Sequence, residues 1–67
     1  MNFNLLKEAR KSRGVTQNEI AKAMGYCGKS WYSMFERGLI KPTMEHSVKI
    51  KNYLKLSDSE YQKIFVE

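Results

Sequence analysis

Glycine sets the first limit on what this chain can fold into. Gly14, Gly25 and Gly38 each follow a stretch in which apolar residues recur at helical spacing. Glycine is the usual residue just past a helix end, where the backbone turns left-handed. Nowhere do apolar and polar residues alternate over a sustained run, so strands are not expected. The chain reads as all-α, without internal repeat, low-complexity tract or linker. Its 67 residues leave room for one domain, 1–67. The core must be small, because a chain of this size buries only about 60% of the surface that its unfolded form exposes. An enzyme with a roomy substrate cleft is therefore not expected. A hydrophobic content of 42% and an aromatic content of 12% favour a packed fold over a disordered tail.

The spacing predicts five helices, over about residues 3–13, 16–24, 29–37, 43–54 and 58–65. In the first, Leu5, Leu6 and Ala9 share one face, and Lys7, Glu8 and Lys11 the other. The second opens on Thr16-Gln17-Asn18-Glu19, a capping box in which the Thr16 hydroxyl and the Glu19 carboxylate each accept an amide N–H at the helix start. Ile20, Ala21 and Met24 follow as its inner face, with Ala21 small enough for another helix to come close. The third helix needs Tyr32 and Phe35 inside, which leaves Lys29, Ser30, Ser33 and Met34 outward. Pro42 sets up the fourth, with Thr43 as N-cap. Its inner stripe is expected to begin with Met44, Ser47 and Val48 and to end near Tyr53 and Leu54. Ser57-Asp58-Ser59-Glu60 is a second capping box, leading to Tyr61, Ile64 and Phe65.

Twelve Lys/Arg against seven Asp/Glu give a net charge of +5. The excess is uneven: residues 1–55 hold eleven basic and four acidic side chains, and the remainder one and three. A basic body suits a polyanion, although charge alone also serves solubility. Cys27 has no second cysteine to pair with, which fits a reducing cytosol. No apolar run approaches a membrane span, and the N-terminus lacks the apolar region of a signal peptide. A soluble, cytoplasmic protein is expected. His46 has no Cys, Asp or Glu at ligand spacing, so neither a metal nor a cofactor is expected. Cys27 has no His nearby in sequence to activate it, and no phosphate-cradling glycine loop is present.

The order Arg10-Lys11-Ser12-Arg13-Gly14-Val15-Thr16-Gln17, Glu19-Ile20-Ala21, Gly25, Ser30, Glu36-Arg37-Gly38, Pro42-Thr43, Lys49-Ile50 resembles the phage repressor and Cro (Xre-like) helix-turn-helix family. The resemblance runs from about Leu5 to Ile64 and is carried by the order and spacing of motifs that are individually weak. It implies a compact five-helix, lambda-repressor-like DNA-binding domain whose second and third helices form the helix-turn-helix, the third lying in a major groove. One departure stands out. Between Gly25 and Glu36-Arg37-Gly38 the chain has one residue more than the commonest family spacing. We place it in the turn Tyr26-Cys27-Gly28, since a helix interior would lose register, and Gly28 is expected to give the longer turn its freedom. A Gly-Tyr-x-x-Lys-Ser turn also looks like that of phage-type regulators from Gram-positive bacteria.

Residue by residue, the resemblance places Gln17 and Gly28, with Arg37 and Lys41 just past the third helix, against DNA phosphates. A phosphate suits the positive end of a helix at Gln17. Lys29, Ser30, Ser33 and Met34 fall where bases are met: a lysine can donate to guanine O6 and N7, and methionine offers apolar contact with a thymine methyl. As a reading face this is sparse. Tyr32 takes the place of a buried aliphatic, with its hydroxyl expected at the rim. Trp31 either packs on Tyr26 or is an exposed anchor for a protein partner. Arg10 and Glu36 match a largely buried ion pair between the first and third helices.

The resemblance implies a transcriptional regulator on double-stranded operator DNA, of the kind found in phage lysis–lysogeny switches, at work in the bacterial host cytoplasm. It would act as a dimer whose recognition helices sit roughly 34 Å apart. The further domain through which full-length phage repressors dimerise is not expected within these residues, so the chain is expected to be Cro-like or an excised domain. A homodimer, weak without DNA, would use Val66 and parts of Ile64 and Phe65. Two alternatives share the scaffold. One is a modulator or antirepressor that captures a phage repressor protein through Tyr26, Trp31 and Met34; the other is an antitoxin.

Overall fold

Four of the helices begin on a side chain that closes their first turn. In the computed structural model, which describes residues 1–26 and 28–66, Asn2 Oδ1 accepts the Leu5 N–H at 3.1 Å and opens α1 (Phe3–Ser12). Thr16 and Glu19 exchange the two bonds of a capping box, 3.0 and 3.1 Å, at the start of α2 (Gln17–Ala23). Thr43 does the same for α4 (Met44–Leu54), with His46 Nδ1 where a glutamate oxygen is usual. Ser57 and Glu60 open α5 (Asp58–Tyr61), which runs on as a wider π-helical turn over Gln62–Val66. The exception is α3 (Lys29–Glu36), whose N-cap Gly28 supplies no side chain. Gly28 is fully extended, with φ 177°, and a Cβ there would meet only Asn18 Oδ1, at 3.9 Å. The backbone freedom expected of Gly28 is thus not needed, and Cys27 lies outside the described residues.

Helix ends follow the glycines. Gly14, Gly25 and Gly38 take φ of 68°, 90° and 81°. At Gly38 the space matters as well, because the Phe3 ring lies 3.3 Å from where a Cβ would stand. The end of α4 is made differently: Lys55 occupies the left-handed region at φ 56°, which costs a side-chain-bearing residue on the order of 1 kcal/mol.

Among the described residues, ten apolar ones make the core: Leu6, Ile20, Ala21, Met24, Tyr32, Phe35, Ile50, Leu54, Leu56 and Ile64. Fully burying a Leu, Ile or Phe side chain contributes about 1.5–3 kcal/mol, and Leu6, Ile20, Phe35 and Ile50 are wholly buried. Helices α2 and α3 pack closely, Ala21 is wholly buried, and α4 lies against α2, where Lys49 Nζ donates to the Met24 carbonyl at 3.3 Å. The C-terminal turn closes back on α1 through Asn2 N–H to Ile64 O, 2.6 Å. Arg13 is the strut of that closure, donating to Leu54 O at 2.6 Å and to the Glu60 carboxylate at 2.9 Å. Among the described residues there is no strand, and no helix is long and apolar enough to cross a membrane.

Several expected core positions differ. The stripe of α4 runs through Ser47, Ile50 and Leu54; at 3.6 residues per turn, Met44, Val48 and Tyr53 fall roughly 90° or more to either side, and all three are exposed. Ser47 is buried because its hydroxyl donates to Met44 O at 2.8 Å and meets the Tyr61 hydroxyl at 3.0 Å. The Tyr32 hydroxyl is not at the rim but buried and without a hydrogen-bond partner. Ile64 is buried rather than partly exposed, because the π-helical turn carries it under α1. Leu56, which the helical spacing does not single out, enters the core once Lys55 has turned the chain.

Candidate nucleic-acid interface

Five of the residues that line the readable face come from α3 and its C-cap, and one from the first turn of α2. Gln17, Lys29, Ser30, Ser33, Met34 and Arg37 border one shallow, open cleft. The α3 sequence produces this directly. With Tyr32, Phe35 and Glu36 turned inward, a helix of 3.6 residues per turn leaves Ser30, Ser33 and Met34 on the other arc, Arg37 continues it, and Lys29, nearly in line with Glu36, is exposed at the helix start. Gln17 reaches the same cleft from the first turn of α2. Lys41 is exposed but lies beyond the residues that line this cleft, and so does Gly28.

The cleft is held from beneath. Arg10 donates from Nε and Nη2 to the two Glu36 oxygens at 2.9 and 3.2 Å, and from Nη1 to Val15 O at 2.7 Å. Arg10 and Glu36 side chains are 7% and 5% exposed, so this pair fixes the angle between α1 and α3 out of water. Tyr32 lies beside it. Burial first, and the Glu36 charge second, push the Tyr32 hydroxyl far above the ordinary phenol range, against which Arg10 acts weakly.

Trp31 faces the other way. Its ring stacks on Tyr26 at 3.8 Å and 12°, and lies 5.3 Å from Phe35. His46 closes the group edge-on, 5.1 Å from Trp31, while its Nε2 meets the Tyr26 hydroxyl at 3.1 Å. The helix-turn-helix turn is thereby pinned to the first turn of α4. His46 is thus a strut between cap and turn, a role invisible in sequence because Tyr26, its partner in the turn, stands 20 residues away. Met34, at 40% exposure, is the apolar member of the cleft that stays open.

Two further concavities adjoin the first and share Gln17 with it. One is bordered by Lys11, Thr16, Gln17, Asn18 and Lys29, with Arg10, Gly14 and Val15 at its back. The other is bordered by Asn4, Lys7, Gln17, Ser33 and Arg37, with Phe3 and Glu36 behind. Asn4, Lys7, Lys11 and Asn18 are the residues of this surface that their motifs do not assign to it. The polar face of α1 was plain in the spacing, but spacing does not tell which neighbour a polar face borders. An apolar groove along Leu5, Ala9 and Ile64, edged by Glu8, Glu60 and Lys63, lies apart from this basic surface.

Carboxylates are drawn away from the cleft. Glu19 is turned back on Thr16, whose N–H and hydroxyl hold its carboxyl below the ordinary range. Glu45 pairs with Lys49, Asp58 with Lys51 and Glu60 with Arg13, each at about 3 Å. Among the described residues, Lys29, Arg37 and Lys41 take no part in an ion pair.

Comparison with known proteins agrees with the helical fold. The Helix-turn-helix family matches over residues 6–61. A relative from Bacillus subtilis (strain 168), "Uncharacterized HTH-type transcriptional regulator YqaF", is 44% identical over 45 residues, which cover 67% of this chain and 58% of the relative. The match therefore spans less than two thirds of that protein's length. No solved structure matches.

Proposed function

The chain belongs to the helix-turn-helix family of the Xre/Cro type, and on that footing we propose that it is a DNA-binding transcriptional regulator of the phage repressor and Cro kind. The observation that carries this is the cleft itself: Gln17, Lys29, Ser30, Ser33, Met34 and Arg37 converge on one open face, backed by a buried ion pair. In this reading α3 enters the major groove. Lys29 donates to guanine, Ser30 and Ser33 bond less selectively, and Met34 touches a thymine methyl. Gln17 at the start of α2, Gly28, Arg37 and Lys41 hold phosphates, which position the helix without specifying sequence.

The protein would work in the bacterial cytoplasm as a dimer on a palindromic operator. Val66, at 61% exposure, with half-buried Phe65 and exposed Met44 nearby, offers a small apolar surface for the second copy, so the dimer forms chiefly on DNA. Capture of a repressor protein would instead need Tyr26, Trp31 and Met34 as one outward patch. Tyr26 and Trp31 spend their faces on each other and on Phe35 and His46, which favours DNA.

Sequencing the duplexes that the purified protein enriches from a random pool tests this. A motif with two half-sites about one helical turn apart is expected. Enrichment of no duplex over input would overturn the proposal.

A further inference from the structure

We propose that Lys7 and Lys11 carry the phosphate grip beyond the helix-turn-helix, so that the outer face of α1 forms a third contact segment along the DNA backbone. This rests on the DNA-binding reading above.

Four observations support it. First, the two lysines flank Gln17 on opposite sides: Lys11 borders the concavity that holds Gln17 and Lys29, and Lys7 the one that holds Gln17 and Arg37. Any backbone strand that approaches the start of α2 therefore comes within reach of both. Second, they stand four residues apart on one helix face, about 6 Å along the axis. Phosphates on one strand advance about 3.4 Å each, so each ammonium can meet a different one.

Third, both side chains are exposed and neither joins an ion pair among the described residues. The carboxylates that could have neutralised them are engaged elsewhere. Glu36 borders the Lys7 concavity, but both its oxygens take Arg10. Glu19 is folded onto Thr16, and Glu8, on the same polar side of α1, edges the apolar groove and borders neither concavity. Fourth, Arg10 lies between the two lysines and ties α1 to α3 through Glu36 and to Val15. Their position relative to the reading helix is thus set before DNA arrives.

The test is the salt dependence of operator binding by fluorescence anisotropy. Each phosphate neutralised contributes about −0.9 to the slope of log K against log salt. Arg37 and Lys41, with Lys29 counted too because its charge displaces counterions from the groove, give a dimer about −5; with Lys7 and Lys11 the slope is about −9. The double variant Lys7→Ala/Lys11→Ala is expected to return the slope to about −5 and to weaken binding roughly thirtyfold per subunit at 0.15 M salt. Lys7→Arg/Lys11→Arg should keep the wild-type slope. Lys22→Ala/Lys63→Ala, which removes the same charge elsewhere on the surface, should leave it unchanged.

If Arg37→Ala flattens the slope and Lys7→Ala/Lys11→Ala does not, the α1 contact is wrong and the DNA-binding reading stands. An equal effect from Lys22→Ala/Lys63→Ala would reduce the result to net charge and overturn the contact too. If the wild type retains no duplex, it is the parent reading that fails.

Discussion

Arg10 Nε lies 2.9 Å from Glu36 across 26 residues of sequence, and the pair is almost wholly shielded from water. A buried pair of this kind is strongly destabilising to break from one side, because the survivor is a stranded charge. Glu36→Ala is expected to cost about 3–5 kcal/mol, a large part of the stability of any small domain. Replacing both partners with apolar residues, as Arg10→Met/Glu36→Leu, should recover most of that loss. Urea unfolding curves of the three proteins decide it. An unchanged midpoint in Glu36→Ala would mean that the pair does not hold α1 on α3.

Tyr32 gives a stability test of opposite sign. Its hydroxyl is buried without a partner, and such a group costs about 1–3 kcal/mol. Tyr32→Phe should therefore leave the protein as stable or more stable at pH 7. The folded-state pKa is raised, so the fold favours the neutral phenol. The stability this residue allows is fully present below the unfolded value near pH 10 and falls as pH rises above it. Wild type should lose ground to Tyr32→Phe above about pH 10. Parallel alkaline limbs in the two proteins would contradict the buried placement of the hydroxyl.

The acid limb belongs to the caps. Bonds from Thr16 lower the Glu19 carboxyl, and the Ser57 N–H and Arg13 lower Glu60, both from an ordinary value of 4.5. A depressed carboxylate contributes stability above its unfolded value, which is lost as pH falls through the folded one. Thermal melts should therefore decline below about pH 4.5. Glu19→Gln/Glu60→Gln, which keeps a capping acceptor but cannot titrate, should show a shallower decline. Identical declines would rule the two caps out as the source.

Lys55 and Gly38 form a matched pair of backbone tests. Lys55→Gly relieves a left-handed residue and should raise stability by about 0.5–1 kcal/mol, or roughly 4 °C in a domain of this size. Gly38→Ala places a Cβ at positive φ and 3.3 Å from the Phe3 ring, so it should lower the melting temperature. Differential scanning calorimetry reads both.

Local chemistry was the legible part of this fold. Thr16, Thr43 and Ser57 announce helix starts, because a cap needs only residues three positions apart. The arc of α3 that carries Ser30, Ser33 and Met34 follows from burying Tyr32 and Phe35. Harder to read was everything set by what lies over a helix. Met44 and Val48 look like core until Ser47, Ile50 and Leu54 are seen to face α2 and the C-terminal turn. Lys7 and Lys11 show no pattern of their own, since their neighbours come from other segments, and only the Thr43 half of what His46 does is local. Gly28 shows the reverse error, a glycine whose freedom the backbone does not use.

Lys29 is where sequence reading by α3 stands or falls. The decisive measurement compares binding to the enriched operator with binding to a scrambled duplex of equal length, for wild type and Lys29→Ala at one salt concentration. Wild type is expected to prefer the operator, and Lys29→Ala to lose about 1–3 kcal/mol of that preference while still holding the backbone. Undiminished discrimination in Lys29→Ala, or wild type that binds the two duplexes alike, would contradict it.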